Sequence, residues 1–95
     1  MIHVMASIVV KPEHAAAAKG LLVELAATSR GEAGCLGYEL FQRPDAPNVF
    51  QTVEQWQSQA DVDGHMKTPH VAAAIGVAGP MLASPLAVHG FAKIG

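Results

Sequence analysis

Residues 48–70, NVFQTVEQWQSQADVDGHMKTPH, decide how the rest of the chain is read. Val49, Gln51, Val53 and Gln55 share one parity, and Phe50, Thr52, Glu54 and Trp56 share the other. That alternation, with its β-branched and aromatic content, predicts a strand over 49–56. Ser58 then stands where a helix N-cap belongs, with Asp61 three residues later as a short relative of the capping box. Ala60, Val62 and Met66 lie on or near one stripe of the helix that follows. Pro69 ends that helix, because its ring disfavours helical geometry at Thr68.

Glu54 is the one acidic residue inside an apolar strand pattern. A carboxylate buried among apolar side chains is costly unless it is paired. Two readings follow: a rim glutamate that makes one hydrogen bond, or a pocket carboxylate beside Trp56 and facing His65.

Upstream, Ile2 to Val10 is apolar on both parities, as in a strand buried on both faces. Pro12 and Glu13 suit the first turn of a helix, which is predicted from His14 to Arg30. Ala18, Leu21, Leu22 and Leu25 form its apolar stripe, and Gly31 its stop. Gly20, a poor helix former, reads as a site of close packing. Leu36 to Gln42 alternates as a second strand, with Leu36, Tyr38 and Leu40 on one face. The stretch RPDAPN at 43–48 is a turn between two strand patterns, hence a β-hairpin. Downstream, 70–79 reads as a small-residue helix ended by Gly79-Pro80, and Leu86 to Ile94 as a last strand.

The order strand, helix, strand, strand, helix, strand is that of the α+β, ferredoxin-like split βαβ pattern, βαββαβ, with an antiparallel sheet and helices on one face. Helices cover only one face of such a sheet. The chain has 95 residues, 51% hydrophobic and 15% charged. That is one domain, 1–95, with more apolar surface than so small a core absorbs. A second copy stacked on the bare face, a homodimer forming an α/β barrel, is the expected remedy.

Net charge is −2 with no basic run, which argues against nucleic acid and anionic membrane as partners. No apolar run reaches the length of a membrane span, and the amino terminus reads as a strand rather than a signal peptide. The single cysteine, Cys35, cannot make an internal disulfide and reads as an inert buried thiol. That usage points to a reducing compartment, the cytoplasm. No nucleophile elbow, dinucleotide fingerprint or phosphate loop is present. Asp61, Asp63, His65 and His70 are residue types that could ligate a metal, but a helical ion pair between Asp61 and His65 explains their spacing more simply. His3, His14 and His89 read as surface or strand-face residues.

Glu32-Ala33-Gly34-Cys35-Leu36-Gly37-Tyr38-Glu39-Leu40, then Asn48-Val49-Phe50 leading to Val53-Glu54-Gln55-Trp56, then Ser58, Ala60, His65 and Thr68-Pro69-His70 together resemble the antibiotic biosynthesis monooxygenase domain family, including its quinol monooxygenases. The resemblance implies a homodimeric ferredoxin-like barrel. It also implies oxygenation of a phenol or hydroquinone by dioxygen, with no metal or flavin cofactor. Ala33 replaces a proline common at that place in the family. The haem-degrading branch of the superfamily carries an Asn in the first strand, a Trp in the second helix and a ligating His in the third. Ser7, His65 and Ile75 stand in those neighbourhoods here, which argues against haem.

A substrate that supplies its own electrons still needs a base and an apolar pocket. His65 is the candidate base, with an ordinary pKa of about 6.5. Glu54 would orient it or take its proton. Trp56, Tyr38, Phe50 and His70 complete the candidate substrate-binding set. Strand parity alone does not say whether Trp56 and Tyr38 face the helices or a partner subunit. Two other functions fit the same residues: a non-catalytic dimeric binding or stress-related protein, and a proton-transfer enzyme of the lactone isomerase type.

Overall fold

The computed structural model describes residues 1–95. Strand β1 spans Ile2–Val9, helix α1 Ala15–Arg30, strand β2 Cys35–Arg43, strand β3 Ala46–Trp56, helix α2 Gln59–Met66, helix α3 Pro69–Ala78 and strand β4 Ala87–Phe91. The four strands form one sheet in the order β2-β3-β1-β4, and every neighbouring pair is antiparallel. This is the ferredoxin-like α+β fold that the element order predicts.

Helix α1 starts one residue later than expected. Pro12 opens a short 3-10 turn over Pro12–His14, and His14 leaves helical geometry with φ −100° and ψ 2°. The buried stripe of α1 is Ala18, Leu22, Ala26 and Ser29, at steps of three and four residues. Gly20 lies on the exposed side, and a Cβ there would meet nothing within 4 Å, so close packing does not explain that glycine.

Two register breaks shape β2. Cys35 pairs with Trp56 and Gly37 with Gln55, which leaves Leu36 bulged out and 53% exposed. Leu36 therefore leaves the face it was expected to share with Tyr38 and Leu40. The hairpin turn is only Pro44-Asp45, and the exposed Arg43 guanidinium grips Asp45 with two hydrogen bonds of 3.0 and 2.7 Å. That contact holds the Asp45 carboxyl below its ordinary range.

Phe50, Thr52, Glu54 and Trp56 are all buried, so their parity is the helix side of the sheet. Across from them lie Ile8, Ala6, Val4 and Ile2 of β1. Tyr38 pairs with Glu54, so Tyr38 and Trp56 sit under the helices. One core cluster joins Ile8, Val10, Ala18, Leu22 and Phe50; a second joins Val4, Ala26, Tyr38 and Trp56.

Two caps then set the site. The Asp61 N–H donates to Ser58 Oγ (3.3 Å) and the Ser58 hydroxyl to Asp61 Oδ2 (2.8 Å), as the capping signature predicts. Asp61 presses on Gly34, where a Cβ would come within 2.2 Å of its carboxyl carbon. Only glycine fits there. The Thr68 hydroxyl donates to the His65 carbonyl (2.7 Å) and accepts from the Val71 N–H (3.4 Å), which ties the end of α2 to the start of α3. Of α2, only His65 is buried; Ala60 and Met66 are exposed rather than packed. Strand β4 is shorter than expected, and Ile94 is fully in solvent.

Candidate active site

A cavity of about 380 Å³ opens between the helix side of the sheet and the helices. Its floor is Val4, Ala6, Tyr38, Thr52 and Glu54, and His65 joins the wall from the last turn of α2. Most of the remaining wall is aliphatic, and the exposed Met66, Ile75 and Leu86 also line it. Its volume sits at the small end of ligand pockets, and a dry apolar wall with few polar groups is their usual make-up.

The buried polar groups form a chain. The Ala6 N–H donates to Thr52 Oγ1 (3.0 Å), and the Thr52 hydroxyl donates to Glu54 Oε2 (2.7 Å). The Trp56 indole N–H donates to Glu54 Oε1 (3.0 Å). Each Glu54 oxygen thus has a donor, which answers the cost of burying it. Glu54 is a pocket carboxylate beside Trp56, but it makes no bond to His65. The expectation that Glu54 orients His65 is corrected by this geometry.

Glu32 takes that place. Its Oε2 lies 2.6 Å from His65 Nδ1 and 2.9 Å from His70 Nε2. Glu32 comes from the turn between α1 and β2, 33 residues before His65. A carboxylate on Nδ1 favours the proton there and leaves the Nε2 lone pair free. Nε2 of His65 makes no hydrogen bond within the chain. The imidazole ring leans on Trp56, with centroids 4.5 Å apart and planes tilted 37°, and meets Tyr38 edge-on at 6.1 Å. The ion pair expected between Asp61 and His65 is absent, because Asp61 is held by Ser58 and His65 by Glu32.

The other candidates divide. Tyr38 lines the cavity. Trp56 lies behind His65 and anchors Glu54 rather than lining the cavity. Phe50 belongs to the core between β1 and α1, outside the cavity wall. His70 is half-buried on the far side of Glu32 and also outside it. Cys35 is half-buried, and burial pushes its thiol up.

The Tyr38 hydroxyl has no hydrogen-bond partner within the chain, although the residue is only 5% exposed. Burial first, and the Glu54 charge second, push this hydroxyl well above its ordinary value. It is therefore a donor and not a base. Tyr38 is the only tyrosine in the chain, so this is directly measurable. An unfolded tyrosine ionises near pH 10, and the folded chain holds the proton. The contribution to stability is whole below about pH 10 and is lost above it, at up to about 1.4 kcal/mol per pH unit. We expect no phenolate absorbance from folded protein at a pH where free tyrosine has ionised, together with a falling urea midpoint. A phenolate signal with an ordinary midpoint in folded protein would contradict this.

A family model described as "Antibiotic biosynthesis monooxygenase" matches residues 1–77. A Bacillus subtilis (strain 168) protein named "Putative monooxygenase YcnE" is 32% identical over 88 residues, which is 93% of each chain. Among solved structures, one described as "Crystal structure of antibiotic biosynthesis monooxygenase" is 27% identical and superposes with a TM-score of 0.94 over all of both chains. PA3566 from Pseudomonas aeruginosa is 30% identical, with a TM-score of 0.91 over 99% of this chain and 94% of that one.

Proposed function

The chain belongs to the antibiotic biosynthesis monooxygenase family, and from that premise we propose that it oxygenates a small phenol or hydroquinone with dioxygen, using no metal or flavin. The observation that carries this reading is His65. Its Nδ1 is held by Glu32, and its unbonded Nε2 belongs to a ring in the wall of an apolar cavity that also holds the free Tyr38 hydroxyl.

The chemistry follows from those atoms. Nε2 of His65 takes the proton of a ring hydroxyl, and the Tyr38 hydroxyl donates to the phenolate oxygen left behind. The phenolate gives an electron to dioxygen in the cavity, and the resulting pair joins at a ring carbon. His65 returns its proton to the peroxide, which loses water. For a hydroquinone the balance is hydroquinone plus dioxygen giving hydroxyquinone plus water, with all four electrons from the substrate. An apolar cavity favours this course by admitting dioxygen and excluding bulk water. Glu54 lines the same cavity, with its carboxylate held by the Thr52 hydroxyl and the Trp56 indole N–H.

Oxygen uptake with a panel of hydroquinones tests the reading. Uptake that depends on both protein and substrate supports it. Substrate binding without uptake makes the chain a binding module, and substrate proton exchange without uptake makes it a proton-transfer enzyme.

We place this activity in a cytoplasmic homodimer of single-domain chains, residues 1–95. The sheet face away from the helices carries Met5, Val9, Val53, Phe41 and Phe91, with Phe41 51% and Phe91 49% exposed. Stacking two such faces should bury more than roughly 1,200 Å² in total. Light scattering at low micromolar concentration should give twice the chain mass, and a monomer mass would end the proposal. No helix is long and apolar enough to cross a membrane.

A further inference from the structure

Nothing in the proposed reaction uses His70, which meets Glu32 on the side away from the cavity. We propose that Glu32, Nδ1 of His65 and Nε2 of His70 form a binding site for a divalent transition-metal ion of zinc type. The three ligand atoms come from three elements of the chain and lie within 4.8 Å of one another. Two imidazole nitrogens and one carboxylate oxygen are a donor set suited to such ions. The two nitrogens converge on a single carboxylate oxygen, at 2.6 and 2.9 Å. In a tetrahedral site, ligands at roughly 2.0–2.2 Å from zinc sit about 3.4 Å apart, so the carboxylate oxygen has to draw back from the two nitrogens by roughly 0.5–0.8 Å to admit the ion. Glu32 and His70 have side chains 18% and 26% exposed, which gives an ion a way in and room for water in its open position. No lysine or arginine is paired with Glu32 to compete for it.

Binding would have a consequence in the cavity. Without metal, the Nδ1 proton of His65 points at Glu32 and Nε2 offers a lone pair. A metal on Nδ1 uses the lone pair there and leaves the proton on Nε2. The ring gains no net proton; the tautomer inverts. His65 then presents a donor to the cavity where a base is needed, so the ion inhibits the oxygenase. Inhibition rests on the base reading of the previous subsection; binding does not.

Calorimetry of the full chain with zinc alone tests the site. We expect one ion per chain, and affinity lowered by more than roughly 10-fold in Glu32→Gln and in His70→Gln. His89→Gln, on the opposite sheet face, should leave it unchanged. Absence of binding, or binding indifferent to both Glu32→Gln and His70→Gln in variants shown by circular dichroism to be folded, overturns the site. The absorption spectrum of the cobalt-substituted chain gives a second readout, and nitrogen and oxygen coordination there should be lost in the same two variants. Zinc should suppress oxygen uptake, and a chelator should restore it. Zinc bound through these three residues with uptake unimpaired leaves the metal site standing and removes His65 as the base.

Discussion

Replacing His65 with alanine should lower the turnover number by roughly 10²–10⁴-fold, the usual cost of losing a general base. The Michaelis constant should move far less, because the cavity wall that binds the ring is mostly aliphatic and stays in place. Glu32→Gln should cost less than His65→Ala. It keeps an oxygen that can accept from Nδ1 but removes the charge that steadies a protonated ring. Glu54→Gln should act differently again, since Glu54 reaches Thr52 and Trp56 and not the imidazole. The rival account makes His65 a packing residue between Trp56 and α3. It predicts a loss of about 1 kcal/mol in stability, typical of single substitutions, with the rate per folded chain unchanged. Oxygen uptake of each variant, assayed at matched folded fraction, separates the accounts. A parental rate in His65→Ala removes His65 as the base.

The largest effect on stability should come from Trp56→Ala. Trp56 is 1% exposed and among the largest fully buried side chains of the protein. Truncating a buried tryptophan costs about 3–5 kcal/mol. Here the same change removes the donor of Glu54 Oε1 in a site that is 4% exposed. An orphaned buried acceptor adds about 1–3 kcal/mol, and more when it is charged. A domain of this size has only about 5–15 kcal/mol to lose. Trp56→Ala should therefore be largely unfolded at ambient temperature. Trp56→Phe, which keeps most of the volume and loses the N–H, should fall between it and the parent. Urea denaturation followed by circular dichroism, at equal chain concentrations because any self-association gains from mass action, gives the order. Equal midpoints for Trp56→Phe and the parent would mean that the indole bond to Glu54 is worth nothing.

Much of this was legible in residues 48–70. The alternation there gives the two faces of β3 and puts Phe50, Thr52, Glu54 and Trp56 together. Ser58, Thr68 and Pro69 mark the helix boundaries, because caps and prolines act within a few residues. Which face lies under the helices was not legible, since parity is symmetric until something packs on one side. Glu32 was also missed as a functional residue. It stood within the turn that carries the family resemblance, but its contact with His65 spans 33 residues and leaves no local spacing to read. Phe50 was misplaced for a related reason. It shares a parity with Glu54, but it lies four residues along the strand, where α1 has already closed over the sheet. The Leu36 bulge shifted the expected face of one residue, and Gly20 in α1 has no packing reason.

The neighbours of His65 also make the site its own optical reporter. Trp56 is the only tryptophan in the chain, and its indole lies against the His65 ring and hydrogen-bonds to Glu54. Indole emission is dimmed by a protonated imidazole in contact and shifts colour when a nearby charge or solvent changes. A ring entering the cavity, a proton arriving on His65 or an ion pulling at its other nitrogen would each alter one indole, with no second indole in the chain to mask it. Occupancy can thus be followed in unlabelled protein, in real time, before any substrate has been identified.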